Sequence, residues 1–151
     1  QALDLLGRKA RMEGGRGLQM LAQRVADTSA RARAVSSLAK HAAALDEAVA
    51  RLAQTTMVLL QQAASDPVRG LGNATIYLEM AGQTVLAWLW LEQALAAQAR
   101  TGDGEGEGDP FFEGKLAACR YFFLYELPKT RHHAKLLEAL DDLLALDPRV
   151  L

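Results

Sequence analysis

The stretch Ser36-Ser37-Leu38-Ala39-Lys40-His41-Ala42-Ala43-Ala44-Leu45-Asp46-Glu47-Ala48-Val49-Ala50-Arg51-Leu52-Ala53-Gln54-Thr55-Thr56-Met57-Val58-Leu59-Leu60-Gln61-Gln62-Ala63 decides the fold of this chain. Within it Leu38, Ala42, Leu45, Val49, Leu52, Thr56, Leu59 and Ala63 step by four and three in alternation, which puts one apolar stripe along a long helix. Lys40, Asp46, Glu47 and Arg51 fall outside the stripe, and Ser36 or Ser37 suits the N-cap. A stripe this long must be covered by other helices.

Downstream, Ser65-Asp66-Pro67 ends that helix and starts another, with Asp66 at the N-cap and Pro67 at the first helical position. Gly70 and Gly72 interrupt the first turns. From Asn73 onward, Tyr77, Met80, Thr84, Trp88, Leu91 and Leu95 form a stripe, while Leu78, Val85, Leu86 and Leu89 fill the opposite side. A helix apolar on most of its circumference is expected to be central or covered by a second body, with Trp90 on that second contact. Residues 101–109 alternate Gly with carboxylates and contain no apolar side chain, so they predict a mobile loop. Asp109-Pro110 then restarts a helix in which Phe112, Leu116, Cys119 and Phe123 share a face, with Phe111 and Phe122 beside them, closed by Leu127-Pro128. A last stripe of His133, Leu136, Leu137, Leu140, Leu143 and Leu144 is ended by Asp147-Pro148. Upstream of the seam, Gly14-Gly15 breaks the chain before a helix from Arg16 towards Ala30, whose end is weakened by Asp27-Thr28-Ser29. The expected fold is all-α: an antiparallel helical bundle of about four to five helices.

Composition supports that class. Half of the 151 residues are hydrophobic, Ala and Leu dominate, and only four prolines occur. A single domain of this length buries about 70% of the surface its unfolded chain exposes. The formal net charge of −1 gives no global field for nucleic acid or an anionic membrane. Residues 1–34 are locally basic through Arg8, Lys9, Arg11, Arg16, Arg24, Arg31 and Arg33, but these follow no single helical stripe and read as a solvated face rather than a phosphate patch. The run Val85–Leu91 falls far short of the roughly 20 apolar residues of a membrane span. The lone Cys119 permits no intramolecular disulfide and fits a cytoplasmic origin.

No reaction centre is visible. Asp103, Glu105, Glu107, Gly108 and Asp109 imitate part of a calcium loop, yet the register places Gly114 where the bidentate Glu belongs. His41, His132 and His133 lack the Glu-x-x-His pattern of a bundle metal site, and the two adjacent histidines point about 100° apart on a helix. Cys119 has Leu116 and Phe123 one turn away and reads as a core thiol. The cluster Tyr121, Phe122, Phe123 and Tyr125 reads as core or interface. No Walker loop, dinucleotide fingerprint or nucleophile elbow occurs.

Three blocks carry a family resemblance. They are Gln1-Ala2-Leu3-Asp4-Leu5-Leu6-Gly7-Arg8-Lys9 followed by Gly14-Gly15, then Tyr77-Leu78-Glu79-Met80-Ala81-Gly82 with Trp88 and Trp90, and Asp109-Pro110-Phe111-Phe112-Glu113-Gly114-Lys115-Leu116-Ala117 with Arg120, Phe122 and Leu127-Pro128. In order and spacing they resemble the C-terminal region of acyl-CoA dehydrogenases. The closest likeness is to the bacterial branch with an added C-terminal helical domain, which includes the 3-methylmercaptopropionyl-CoA dehydrogenases. The resemblance implies a parent flavoenzyme that uses FAD, a glutamate base that takes the α-proton of an acyl-CoA, hydride transfer to flavin N5, and an electron-transfer flavoprotein as acceptor. It also implies that the catalytic base and nearly all flavin- and CoA-binding residues precede Gln1, with Gln1 alone near the cofactor. Residues 1–13 are then the end of the upstream dehydrogenase helical domain, expected to fray or pack irregularly, and residues 14–151 are the C-terminal bundle. Such a piece is expected to act structurally, against the upstream domains or in a homo-oligomer. The alternative, from the residues alone, is a free-standing helical module that binds an apolar ligand or a partner helix in a groove.

Overall fold

A long seam helix needs cover along its whole length, and the computed structural model, which describes residues 1–102, 108–143, 146 and 149, supplies it in two layers. Every regular element among the described residues is helical. The chain opens with a π-turn at Asp4–Arg8 and a 3-10 segment at Lys9–Gly15, followed by α1 (Arg16–Arg33), α2 (Ala39–Ser65), the short α3 (Pro67–Leu71) and α4 (Ala74–Gly102). After the connection come α5 (Pro110–Tyr121), a second π-turn at Phe122–Glu126, and α6 (Lys129–Glu138).

Side-chain pairs set the directions. Arg33 pairs with Asp46 across the α1–α2 turn, Thr56 meets Tyr77 between α2 and α4, and Lys115 meets Gln93 between α5 and α4. Sequential helices therefore alternate, and α5 with α6 forms one bent fourth arm. The fold is an all-α bundle, as the seam requires. The upper core layer joins Val25, Leu38, Leu45, Leu91, Cys119 and Phe123; the lower joins Leu52, Leu59, Tyr77, Met80, Leu137 and, from the opening segment, Leu6.

The details show where packing overrides local propensity. Six seam residues are buried, five in α2 and Leu38 just ahead of it, but Val49 and Ala63 are only half-buried, while Ala48 and Thr55 beside the seam are fully covered. The buried face is wider than a two-helix seam because α2 touches α1, α3, α4 and α6. Neither Ser36 nor Ser37 caps this helix: Leu38 stands at the N-cap without a side-chain bond, and Ser37 Oγ instead donates to Gln98 Oε1 of α4 at 3.2 Å. Helix α1 does not weaken at Asp27-Thr28-Ser29 but runs on to Arg33, because Thr28 and Ser29 are buried and Thr28 is tied to α4.

Both acidic caps behave as their sequence implies. Asp66 accepts from the Arg69 amide at 3.1 Å ahead of Pro67, and Asp109 accepts from the Phe111 amide at 2.9 Å ahead of Pro110. The last stripe is corrected: α6 buries Thr130, Ala134 and Leu137, while Leu136 and Leu143 are exposed. Its helix ends at Glu138, with Leu140 at φ 50°. Leu144, Asp147 and Pro148 lie outside the described residues, as do Asp103, Glu105 and Glu107 of the acidic loop; Thr101 and Gly102 still belong to α4.

Residues 1–13 pack irregularly rather than as one α-helix, yet Leu6 is fully buried and Ala10 nearly so. Left-handed backbone at Glu13, Gly14 and Gly15 turns the chain from this segment into α1. The π-turn touches both α2 and α4. Leu6 thus fills the lower layer, whose described apolar residues include none from α1.

Candidate functional site

Helix α4 carries the residues with most functional interest, and small side chains decide how it sits. Ala74, Tyr77, Met80, Thr84, Ala87, Leu91, Ala94 and Ala97 form its buried stripe, so neighbouring backbones approach closely. Trp88 and Leu95, expected in that stripe, are only half-buried, and Leu86 and Leu89 on the far side remain 48% and 42% exposed. Trp90 lies against α5, with the Lys115 ammonium 5.6 Å from its ring centre.

Several polar residues inside the bundle hold helices together. Trp88 Nε1 donates to Thr28 Oγ1 at 2.8 Å, and the same hydroxyl meets the Glu92 carboxylate, which Arg31 also pairs. Thr55 Oγ1 donates to Glu138 at 2.6 Å, and Thr56 shares a 2.8 Å hydrogen bond with the buried Tyr77 hydroxyl. Burial pushes the Tyr77 phenol up, partly offset by Thr56. These are ties between α1 and α4, α2 and α6, and α2 and α4, each satisfying a group that burial would otherwise leave unpaired.

Most of the cationic stretch is engaged in ion pairs. Arg8 and Lys9 both bind Asp4, Arg16 binds Glu13, and Arg31 and Arg33 reach Glu92 and Asp46 on other helices. The Arg8 hydrogen bond holds the Asp4 carboxyl down at about 2. Among the described residues no group of three His, Cys, Asp or Glu side chains could hold a metal ion.

Cys119 is 1% exposed, and burial pushes its thiol up to about 12. The thiolate that would act as a nucleophile is therefore disfavoured. A thiol-exchange dye at pH 8 should leave the native protein unlabelled and react fully once denaturant is added; prompt native labelling would contradict this burial.

His41 meets Phe123 edge-on with ring centres 4.7 Å apart, and its buried Nδ1 has no hydrogen-bond partner. Burial, and then the Arg120 guanidinium, lower its pKa below the ordinary imidazole range. The unfolded chain thus binds this proton more readily than the folded one. The stability it contributes is complete above about pH 6.5 and is lost as pH falls towards the lowered folded value. Thermal melts of His41→Gln should show a shallower decline below that pH than the parent chain; equal slopes would mean that His41 does not contribute to the acid sensitivity.

His133 lies on α6, half-buried, 3.8 Å from Glu79, while His132 is exposed. Gln1 is exposed, and its carbonyl accepts from the Leu5 amide at 2.9 Å. Gln1 and the three histidines thus form no common centre.

What remains is surface. At the N-terminal corner, a groove of about 520 Å³ runs between Ala2, Leu3, Val68, Leu71 and Ala74. A second, of about 280 Å³, lies between α4 and α5 and brings Phe111 and Phe112 beside Lys115 and Arg100. Tyr121 and Tyr125 stand 4.9 Å apart, both more than half exposed, with Leu124 equally exposed beside them. The π-turn re-aims these residues: the Leu127 amide bonds the Phe122 carbonyl, one residue further back than in an α-helix. Sequence spacing gives no warning of such a turn.

The sequence of this chain has counterparts among known proteins. The family model described as "Acetyl-CoA dehydrogenase C-terminal like" matches residues 21–147. The chain belongs to this family. It is also 32% identical, over 152 aligned positions, to the 3-methylmercaptopropionyl-CoA dehydrogenase of Ruegeria pomeroyi. That match takes in 95% of this chain and 24% of the relative, so the chain spans about a quarter of the length of the relative it resembles. No helix among the described residues is long and apolar enough to cross a membrane.

Proposed function

We propose that this chain is the C-terminal helical domain of an FAD-dependent acyl-CoA dehydrogenase and serves it structurally, by docking on the upstream dehydrogenase domains or supporting a homo-oligomer. The observation that carries this reading is the family match over 21–147 together with coverage of a quarter of a dehydrogenase. The domain division belongs to the same proposal: residues 1–13 close the dehydrogenase part and residues 14–151 form the appended bundle. So do the α,β-dehydrogenation of an acyl-CoA, a cytoplasmic location, and electron transfer to an electron-transfer flavoprotein.

The residues present do not by themselves fit a flavin. Gln1 is exposed, and the cations nearest to it in sequence, Arg8 and Lys9, are both engaged by Asp4 instead of standing ready for a pyrophosphate. In this reading Gln1 lies at the edge of a cofactor site built by other residues, and the base and acyl-CoA pocket belong to those residues too. This chain's own contribution is shape: an interior that holds four helical arms in register, and apolar surface offered to neighbours.

The coding frame and its product test the proposal. The frame should extend upstream through a dehydrogenase, and the longer polypeptide should purify with a flavin absorbance that bleaches on addition of an acyl-CoA. An initiator Met immediately before Gln1, or a longer product free of flavin, would overturn it.

A further inference from the structure

Several grooves among the described residues are candidates for contact, and their walls differ in charge. Those between α4 and α5, beside the 3-10 segment, beside α6 and at the α2–α6 edge each include Arg, Lys or Asp. The N-terminal corner groove has no charged side chain in its wall, and its rim exposes Leu3 at 61% and Val68 at 50%. Its floor is α3, a five-residue helix whose Gly70 backbone already lies directly on α2.

We infer that this corner groove, between residues 2–3 and α3, is the face on which the upstream dehydrogenase part of the longer polypeptide seats an apolar segment. The inference rests on the proposed function and deepens it by naming the face. The relative of which this chain spans a quarter supplies the reason for an occupant. Ala2 and Leu3 are themselves part of the groove wall, so residues joined ahead of them leave from the groove itself. A covalently tethered occupant acts at high effective concentration, so a shallow groove suffices without a large independent affinity. An uncharged wall with two exposed aliphatic side chains selects an apolar partner, since a charged one would lose water there without a counter-charge. A helix as short as α3 is marginal alone and gains most from being covered.

The test uses the longer polypeptide and this chain side by side. Amide hydrogen exchange at residues 2–7 and 68–72 should slow about tenfold or more in the longer polypeptide, while exchange on the Leu86 and Leu89 face serves as the internal reference. In the longer polypeptide, Val68→Glu should speed proteolytic release of the helical domain about tenfold, Val68→Ser should do so by less, and Leu86→Glu should leave it within about twofold. Unchanged exchange and unchanged release, in a longer polypeptide that still binds flavin, would overturn the groove and leave the proposed function standing. Loss of self-association without faster release would also overturn it, by assigning the groove to a second copy. A longer polypeptide without flavin would remove the underlying reading itself.

Discussion

Replacing Gly70 by Ala should destabilise the chain by about 3 kcal/mol or more, lowering its melting temperature by about 6–12 °C. A Cβ at this position would stand 2.4 Å from the Ala63 backbone nitrogen and 2.6 Å from its Cα. Backbone atoms cannot rotate away, so α3 must lift off α2. The Asp66 cap and the Arg69 bonds to Asp66 and Asp142 would shift with it. Gly82 supplies the matched control: it lies inside α4 with open space where its Cβ would stand. Gly82→Ala should therefore raise stability by about 0.5–1 kcal/mol through helix propensity. Thermal or urea melts of the two variants check the pair, and a tolerated Gly70→Ala would refute the close α2–α3 approach.

Leu6→Ala carries the second large expectation, a loss of about 2–5 kcal/mol. Leu6 is fully buried among the lower core residues, whereas Leu3, three positions earlier, is 61% exposed. Leu3→Ala in the same chain should change stability by less than about 0.5 kcal/mol. If both variants melt like the parent, residues 1–13 do not complete the lower core layer.

The comparison of Leu6 with the α2 seam shows what could be read from sequence. The seam announces itself because its period continues for the length of a helix, and the Asp-Pro pairs at 66–67 and 109–110 announce helix starts because capping chemistry is local. Leu6 sits in a segment too short and too irregular for periodicity, and its burial depends on α2 and α4 meeting it from elsewhere in the chain. Thr28 and Ser29 mislead for the same reason: locally they weaken a helix, but Trp88 and Glu92, some sixty residues away, engage Thr28 and keep its turn helical. The face of α6 is hidden from sequence because a large leucine such as Leu136 suggests burial, whereas the close packing there accepts Thr130 and Ala134.

For function, the sequence was informative in two different ways. The residue types tell against a reaction centre, and the structure gives them other work: Cys119 is core, and Thr28, Thr55 and Thr56 tie helices. The family was legible from ordered blocks, whereas the corner groove was not, since Leu3 and Val68 are far apart in the chain and meet only through α3. Exposed apolar side chains on both α4 and the π-turn have no periodic signature that separates them from core residues.

A turnover assay on this chain alone, supplied with FAD, an acyl-CoA and an electron-accepting dye, decides whether the helical domain has chemistry of its own. No acyl-CoA-dependent dye reduction is expected and no flavin retained after gel filtration, while the longer polypeptide proposed above should show both. Sustained turnover by residues 1–151 alone would contradict the structural role.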